Sequence, residues 1–198
     1  MTDYALRTRT VLLAVAAVAA VAGAVVVAIA FVRPAEPAVR VAFSLTDHTG
    51  ASVSEHDFAG RHLLVFFGFT NCAQICPAQM GKLTAAMARL DESGHADRIT
   101  PLLISVDPER DTPERLAHFL SRFDGRFVGM TGTRPALTEA AASFKAYLQT
   151  APPQGSGDYQ VVHATTVYVV APGSRIVGYI AGSGDAEAIA AEVRKILG

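Results

Sequence analysis

Val11 to Val32 is a run of 22 residues in which only Gly23 falls outside the apolar set. As a helix, such a run is about 33 Å long at 1.5 Å per residue, which matches a hydrocarbon core of about 30 Å. A helix on the core of a water-soluble domain keeps a polar face, and this run has none. A cleaved signal peptide is the competing reading, with Ala28-Ile29-Ala30 as the cleavage signal, but the apolar region of such peptides spans only about 7–15 residues. The sequence therefore predicts a transmembrane anchor over 11–32. A short cytoplasmic tail over 1–10 precedes it, and a stiff Pro-spaced linker over 33–40 follows. Arg7, Arg9 and the α-amino group before the span, against Arg33 and Arg40 after it, leave a positive-inside bias of about one charge. That bias predicts a single-pass cell-membrane protein with its domain on the extracytoplasmic side.

The anchor also distorts the composition. The whole chain of 198 residues is 51% hydrophobic, but the remainder is about 45% apolar, ordinary for a globular domain. Residues 41–198 suffice for one domain with its own core. Lys and Arg number 17 against 18 Asp and Glu, with no basic block. No electrostatic footprint for nucleic acid exists, and the apolar content excludes intrinsic disorder.

Strand-like and helix-like periods alternate along the domain. Val41 to Leu45, Leu63 to Phe67 and Leu102 to Val106 read as strands, the last two buried on both faces. Met80, Leu83, Met87 and Leu90 recur at helical spacing after Cys76-Pro77. Asp111 and Glu114 bracket Pro113 at capping-box spacing, ahead of a helix whose apolar face is Leu116, Phe119, Leu120 and Phe123. Leu137, Ala141, Phe144 and Leu148 mark a third helix, and Gly155-Ser156-Gly157 lies in a Pro/Gly-rich loop. Thr165 to Val170 and Ile176 to Ile180 form a hairpin, and Ile189, Val193, Ile196 and Leu197 a closing helix. This order predicts an α/β sandwich with helices on both faces of the sheet.

The only cysteines, Cys72 and Cys76, lie four apart between a buried strand and a helix. A structural disulfide closing so small a loop would constrain little of the unfolded chain. On a helix, Cβ atoms at this spacing are about 5–6 Å apart, whereas a disulfide needs about 3.5–4.5 Å, so a disulfide here requires an irregular first turn. A metal is easier to bridge, since two sulfurs at about 2.3 Å from one ion can lie up to about 4.6 Å apart. The helix N-terminus favours thiolate, and two thiolates select soft metals. Four cysteines for an iron–sulfur cluster are absent, which leaves copper or zinc beside a redox dithiol. Of six histidines, His48, His56, His62, His95 and His118 read as solvated side chains, while His163 stands where the Gly-rich loop enters a strand. Met80, Met87 and Met130 read as core packing. A thiol peroxidase would carry a Thr three positions before its cysteine, and here Thr70 is two before Cys72.

From about Val41 to Leu197 the chain resembles the Sco/SenC family of membrane-anchored copper proteins of respiratory oxidase assembly. The resemblance is carried by Phe67-Gly68-Phe69-Thr70-Asn71-Cys72-Ala73-Gln74-Ile75-Cys76-Pro77, by Ser105-Val106-Asp107-Pro108-Glu109-Arg110-Asp111-Thr112-Pro113-Glu114, and by the late His163. It implies a thioredoxin-like fold, a central mixed sheet flanked by helices, and a copper site of Cys72, Cys76 and His163. It also implies a metallochaperone that delivers copper to cytochrome c oxidase subunit II or a similar client, receives it from other copper carriers, or reduces the client's cysteines. A thiol–disulfide oxidoreductase using Cys72 and Cys76 as its redox pair is the alternative. The family's usual Pro-Asp after the first cysteine is Ala73-Gln74 here, and its usual Ser after the late histidine is Ala164. Asp107 reads either as the end of a strand or as a residue supporting the site, and Asp111 as a helix cap.

Overall fold

The structure is a computed structural model that describes residues 39–150, 161–163 and 165–198. The expected anchor over 11–32, the tail over 1–10 and most of the linker lie outside the described residues. Among the described residues no helix is long and apolar enough to cross a membrane.

Seven strands form one mixed sheet in the order β2-β1-β5-β4-β3-β8-β9. They are β1 (Ser44–Asp47), β2 (Ser52–Ser54), β3 (His62–Gly68), β4 (Ile99–Ser105), β5 (Val128–Thr131), β8 (Val167–Ala171) and β9 (Arg175–Ile180). A second ladder pairs β6 (Leu148–Thr150) with β7 (Val161–His163). The helices are α1 (Ile75–Glu92), α2 (Pro113–Leu120), α3 (Arg134–Ser143) and α4 (Ala186–Leu197). Strands β3, β4 and β5 run parallel, joined by crossovers through α1 and α2, whereas β8 pairs antiparallel with β3 and β9 antiparallel with β8.

Register shows which helices cover which face. Phe66, Leu103 and Gly129 lie side by side across β3, β4 and β5. A Cβ on Gly129 would stand 2.8 Å from Leu120 and 3.3 Å from Leu116, so α2 covers this face; one on Gly68 would stand 3.3 Å from Cys76 Sγ, at the start of α1. Ile196 of α4 approaches Gly178 of β9 on the same side. The opposite face carries Phe67 and Tyr168, against which Phe144 at the end of α3 packs edge-on at 5.3 and 5.4 Å. Helices therefore flank both faces, as the alternating pattern predicts. Met80, Met87 and Met130 are fully buried core.

Three helices start where the sequence supplies an N-cap. Thr112, Thr133 and Asp185 accept the N–H groups of Arg115, Ala136 and Ala188. The cap of α2 is thus Thr112 rather than Asp111, which is turned inward. The third helix stops at Ser143, short of the expected Leu148. Lys145 takes a left-handed φ of 56°, Ala146 N–H donates to Ala141 O and Lys145 N–H to Ala142 O. This Schellman ending releases Leu148 into β6. Strand β4 begins at Ile99, with Pro101 in its interior. Strand β5 pairs with β4 only from Leu102 onward, so the N–H that Pro101 lacks is not missed on that side.

Val39 and Arg40 run beside β9. Ile176 N–H donates to Val39 O, and Val41 N–H to Ser174 O in the turn between β8 and β9.

Phe144 is fully buried between Phe67 and Tyr168. Phe144→Ala is expected to cost about 3–5 kcal/mol of unfolding free energy, read as a lower urea midpoint at unchanged slope. A loss under about 1 kcal/mol would refute this packing.

Candidate metal and dithiol centre

Strand β3 carries the chain through the middle of the core, with Leu63 to Phe67 all buried, and delivers it at Gly68 to the loop that bears the cysteines. Cys72 N–H donates to Phe69 O at 3.4 Å, closing a turn. Gln74, the N-cap residue of α1, has φ −130° and ψ −53° and gives no side-chain cap. The irregular first turn that two cysteines at this spacing require is therefore present. It brings Cys76 N–H to Cys72 Sγ at 3.3 Å, so a sulfur takes the place of the oxygen that usually caps a helix N-terminus. Both cysteines are free thiols, Cys72 half-buried and Cys76 buried.

The two sulfurs differ electrostatically. Burial pushes the Cys76 thiol up to about 12, and the neighbouring Cys72 thiol and Asp111 carboxylate add to the rise. The thiolate that a helix N-terminus favours at one or both sulfurs is opposed at Cys76 by burial. Gln79, one turn along α1 from Cys76, is buried and its Nε2 finds no hydrogen-bond partner among the described residues. Two sulfurs brought together at a helix N-terminus suit a soft metal ion.

His163 ends β7 opposite Leu148 of β6; its side chain lies outside the described residues. Among the described residues no three His, Cys, Asp or Glu side chains cluster to hold a metal, so Cys72 and Cys76 are the donors the structure brings together. Of the remaining histidines, His48 is not simply solvated: its Nδ1 accepts Gly129 N–H at 3.2 Å.

Behind the thiols, the second motif folds inward. Asp107 is fully buried, takes the Arg110 guanidinium on its carboxylate, and donates its N–H to Ser105 Oγ at 3.0 Å. Arg110 also lies over the Phe69 ring at 5.9 Å. Asp111, at 1% exposure, accepts Ser105 Oγ–H at 2.6 Å, Thr70 Oγ1–H at 2.5 Å and Thr70 N–H at 3.1 Å. Burial raises its carboxyl above the usual range, against those hydrogen bonds. The Asp-x-x-Glu spacing suggests a local cap and hides this partnership with Thr70, which lies 41 residues earlier.

A thiol pair after the first buried parallel strand, opening a helix of a mixed sheet, defines the thioredoxin-like class of dithiol domains. The SCO1/SenC family model matches residues 33–198, and the chain belongs to that family. The human mitochondrial SCO1 homolog is 36% identical over 137 residues, covering 69% of this chain and 46% of the human one. The mitochondrial SCO2 homolog of Danio rerio is 38% identical over 137 residues, covering 69% and 49%. The chain thus spans about half the length of these curated relatives. Arabidopsis thaliana ScoI, solved with copper bound, superposes with a TM-score of 0.76 at 31% identity, covering 81% of this chain and 98% of that one. BsSco, described through a disulfide switch as a member of the Sco family of cytochrome c oxidase assembly proteins, gives 0.66 at 26% identity, covering 81% and 94%.

A raised thiol pKa means that the folded chain keeps a proton the unfolded chain surrenders. This contribution to stability is complete below about pH 8.5 and is lost as pH rises toward 12. The urea midpoint of the wild type is accordingly expected to fall relative to that of Cys76→Ala above pH 9. At pH 8, iodoacetamide is expected to label Cys72 and leave Cys76 unlabelled until urea is added, as read by peptide mass spectrometry. Equal labelling in the folded state would refute the asymmetry.

Proposed function

We propose that this protein is a membrane-anchored copper metallochaperone of oxidase assembly. The observation that carries the reading is the Cys72–Cys76 pair, placed in contact at the irregular start of α1 by the 3.3 Å bond from Cys76 N–H to Cys72 Sγ. Copper is cargo here. Cys72 and Cys76 bind it as thiolates, and His163 completes the site as a neutral imidazole. Copper-bound relatives of the same fold support copper as the metal, and the family link to cytochrome c oxidase assembly supports an oxidase client, which we take to be the dinuclear copper site of subunit II or one like it. The anchor over 11–32 holds residues 41–198 on the extracytoplasmic side of the cell membrane, within reach of that client and of other copper carriers.

The chemistry of loading follows from the thiols. Each sulfur that takes copper must release its proton, and the Cys76 proton is held tightly. Cu(I), which favours thiolates, then spans two sulfurs within reach of one ion.

A second reading is favoured by the same contact. Two thiols this close form a disulfide, so the pair also serves as a thiol–disulfide reductant that prepares the client's cysteines through a mixed disulfide. The disulfide switch described for BsSco supports it.

Anaerobic titration of the reduced full-length chain in detergent with Cu(I), against a competing chelator, tests the proposal. One tight equivalent is expected, weakened at least tenfold by Cys72→Ser, Cys76→Ser and His163→Ala. The apparent affinity is expected to rise with pH, up to about tenfold per unit for each thiol proton displaced. Weak, pH-independent binding that ignores His163 would overturn the copper reading in favour of the reductant.

A further inference from the structure

The most expensive feature near the thiols is a carboxylate that neither ligates nor caps. Asp111 is 1% exposed and its carboxyl group is raised by burial. Burying a carboxylate costs stability unless its hydrogen bonds repay the lost solvation. The hydrogen bonds its carboxylate accepts converge on two places, the end of β4 and the loop before the cysteines. Ser105 Oγ–H donates to one oxygen at 2.6 Å, and Thr70 Oγ1–H to the other at 2.5 Å. The Thr70 backbone N–H lies 3.1 Å from the first of these oxygens. Arg115, on α2, donates from Nε to Thr70 Oγ1 at 3.1 Å, and Asp111 N–H donates to Asp107 O at 2.9 Å. Thr70 is therefore held by two side chains distant in sequence, Asp111 and Arg115.

Thr70 sits within the turn closed by Cys72 N–H on Phe69 O, and that turn presents Cys72 Sγ to Cys76 N–H. Backbone bonds alone secure the turn weakly, since its one hydrogen bond is 3.4 Å long and Gln74 gives α1 no side-chain cap. We infer that Asp111 is a positioning residue of the dithiol: through Thr70 it holds the Phe69–Cys72 turn in the one conformation that sets Cys72 Sγ beside Cys76. The inference deepens the proposed copper and reductant readings, because both need the sulfurs close together. Its geometry, however, is independent of copper.

The test measures the closeness of the sulfurs directly. The full-length chain in detergent is equilibrated with glutathione buffers. Two thiols and one oxidised glutathione exchange to give the Cys72–Cys76 disulfide and two reduced glutathiones, so the equilibrium constant reports the effective concentration of one thiol at the other. Thr70→Val keeps the carboxylate and the backbone bond while removing the hydroxyl; Asp111→Asn keeps the shape and removes the charge. Each is expected to lower that constant about tenfold, a shift of about 30 mV for this two-electron couple. The double variant is expected to be no worse than Asp111→Asn alone, because both act through one contact. Arg126→Ala, which breaks the bidentate pair with Asp91 at the far end of α1, serves as the control for general destabilisation and is expected to leave the constant unchanged. Unchanged constants in both site variants, or an equal fall in the Arg126→Ala control, would overturn the inference. Cu(I) binding is measured on the same samples. A wild type that binds no copper overturns the copper reading while the glutathione comparison still decides the role of Asp111.

Discussion

The burial of β3 on both faces is the constraint from which the rest follows. Leu64 and Phe66 point to the face covered by α1, α2 and α4, and Phe67 to the face closed by Phe144. With β4 on one side and β8 on the other, every edge and surface of the strand is occupied. A strand so placed cannot shift its register without exposing one set of side chains and burying gaps on the other. The loop that leaves it at Gly68 therefore starts from a fixed point. Gly68 itself is confined, since a Cβ there would press within 2.9 Å of Phe66 and 3.3 Å of Cys76 Sγ. The cysteine pair inherits its precision from this strand.

What the strand fixes, the second motif then shapes. Ser105 ends β4 beside Gly68 in register, and its hydroxyl, with Asp107 and Asp111, fills the space behind the loop with polar groups that satisfy one another. An apolar filling would cost less free energy but would hold the loop less uniquely, because hydrogen bonds select one geometry where packing tolerates several. The asymmetry of the sulfurs comes from the same arrangement. Cys72 remains partly open to solvent, while Cys76 is buried beside a carboxylate, so access to the pair is through Cys72.

The parts of this organisation legible in the sequence were those written in contiguous residues. Leu63 to Phe67 and Leu102 to Ile104 are unbroken apolar runs and read directly as buried strands; the cysteine pair stands out by its spacing alone. Strands β2 and β5 are too short, and Gly129 breaks the pattern of β5, so no periodicity announces them. Asp111 reads as a cap because the capping-box signal is local, whereas its partner Thr70 lies on another element. The end of α3 at Lys145 depends on a left-handed residue that is neither Gly nor Asn, which local preference does not favour. The Cys76 thiol goes the other way from its helix-end expectation because burial is a property of the folded core, not of the neighbouring residues. His163 was singled out by its place in the chain and by family resemblance; its backbone falls in β7, a strand that a three-residue run does not reveal.

The seam between Val39–Val41 and the β8–β9 turn has a geometric consequence. Ser174, which receives Val41, belongs to the turn beyond Ala171, and Val170 lies opposite Leu63 near the beginning of β3. The thiol loop leaves from the other end of that strand. The point where the chain enters the domain and the point where it offers its sulfurs are thus separated by the length of the seven residues of β3, about 23 Å.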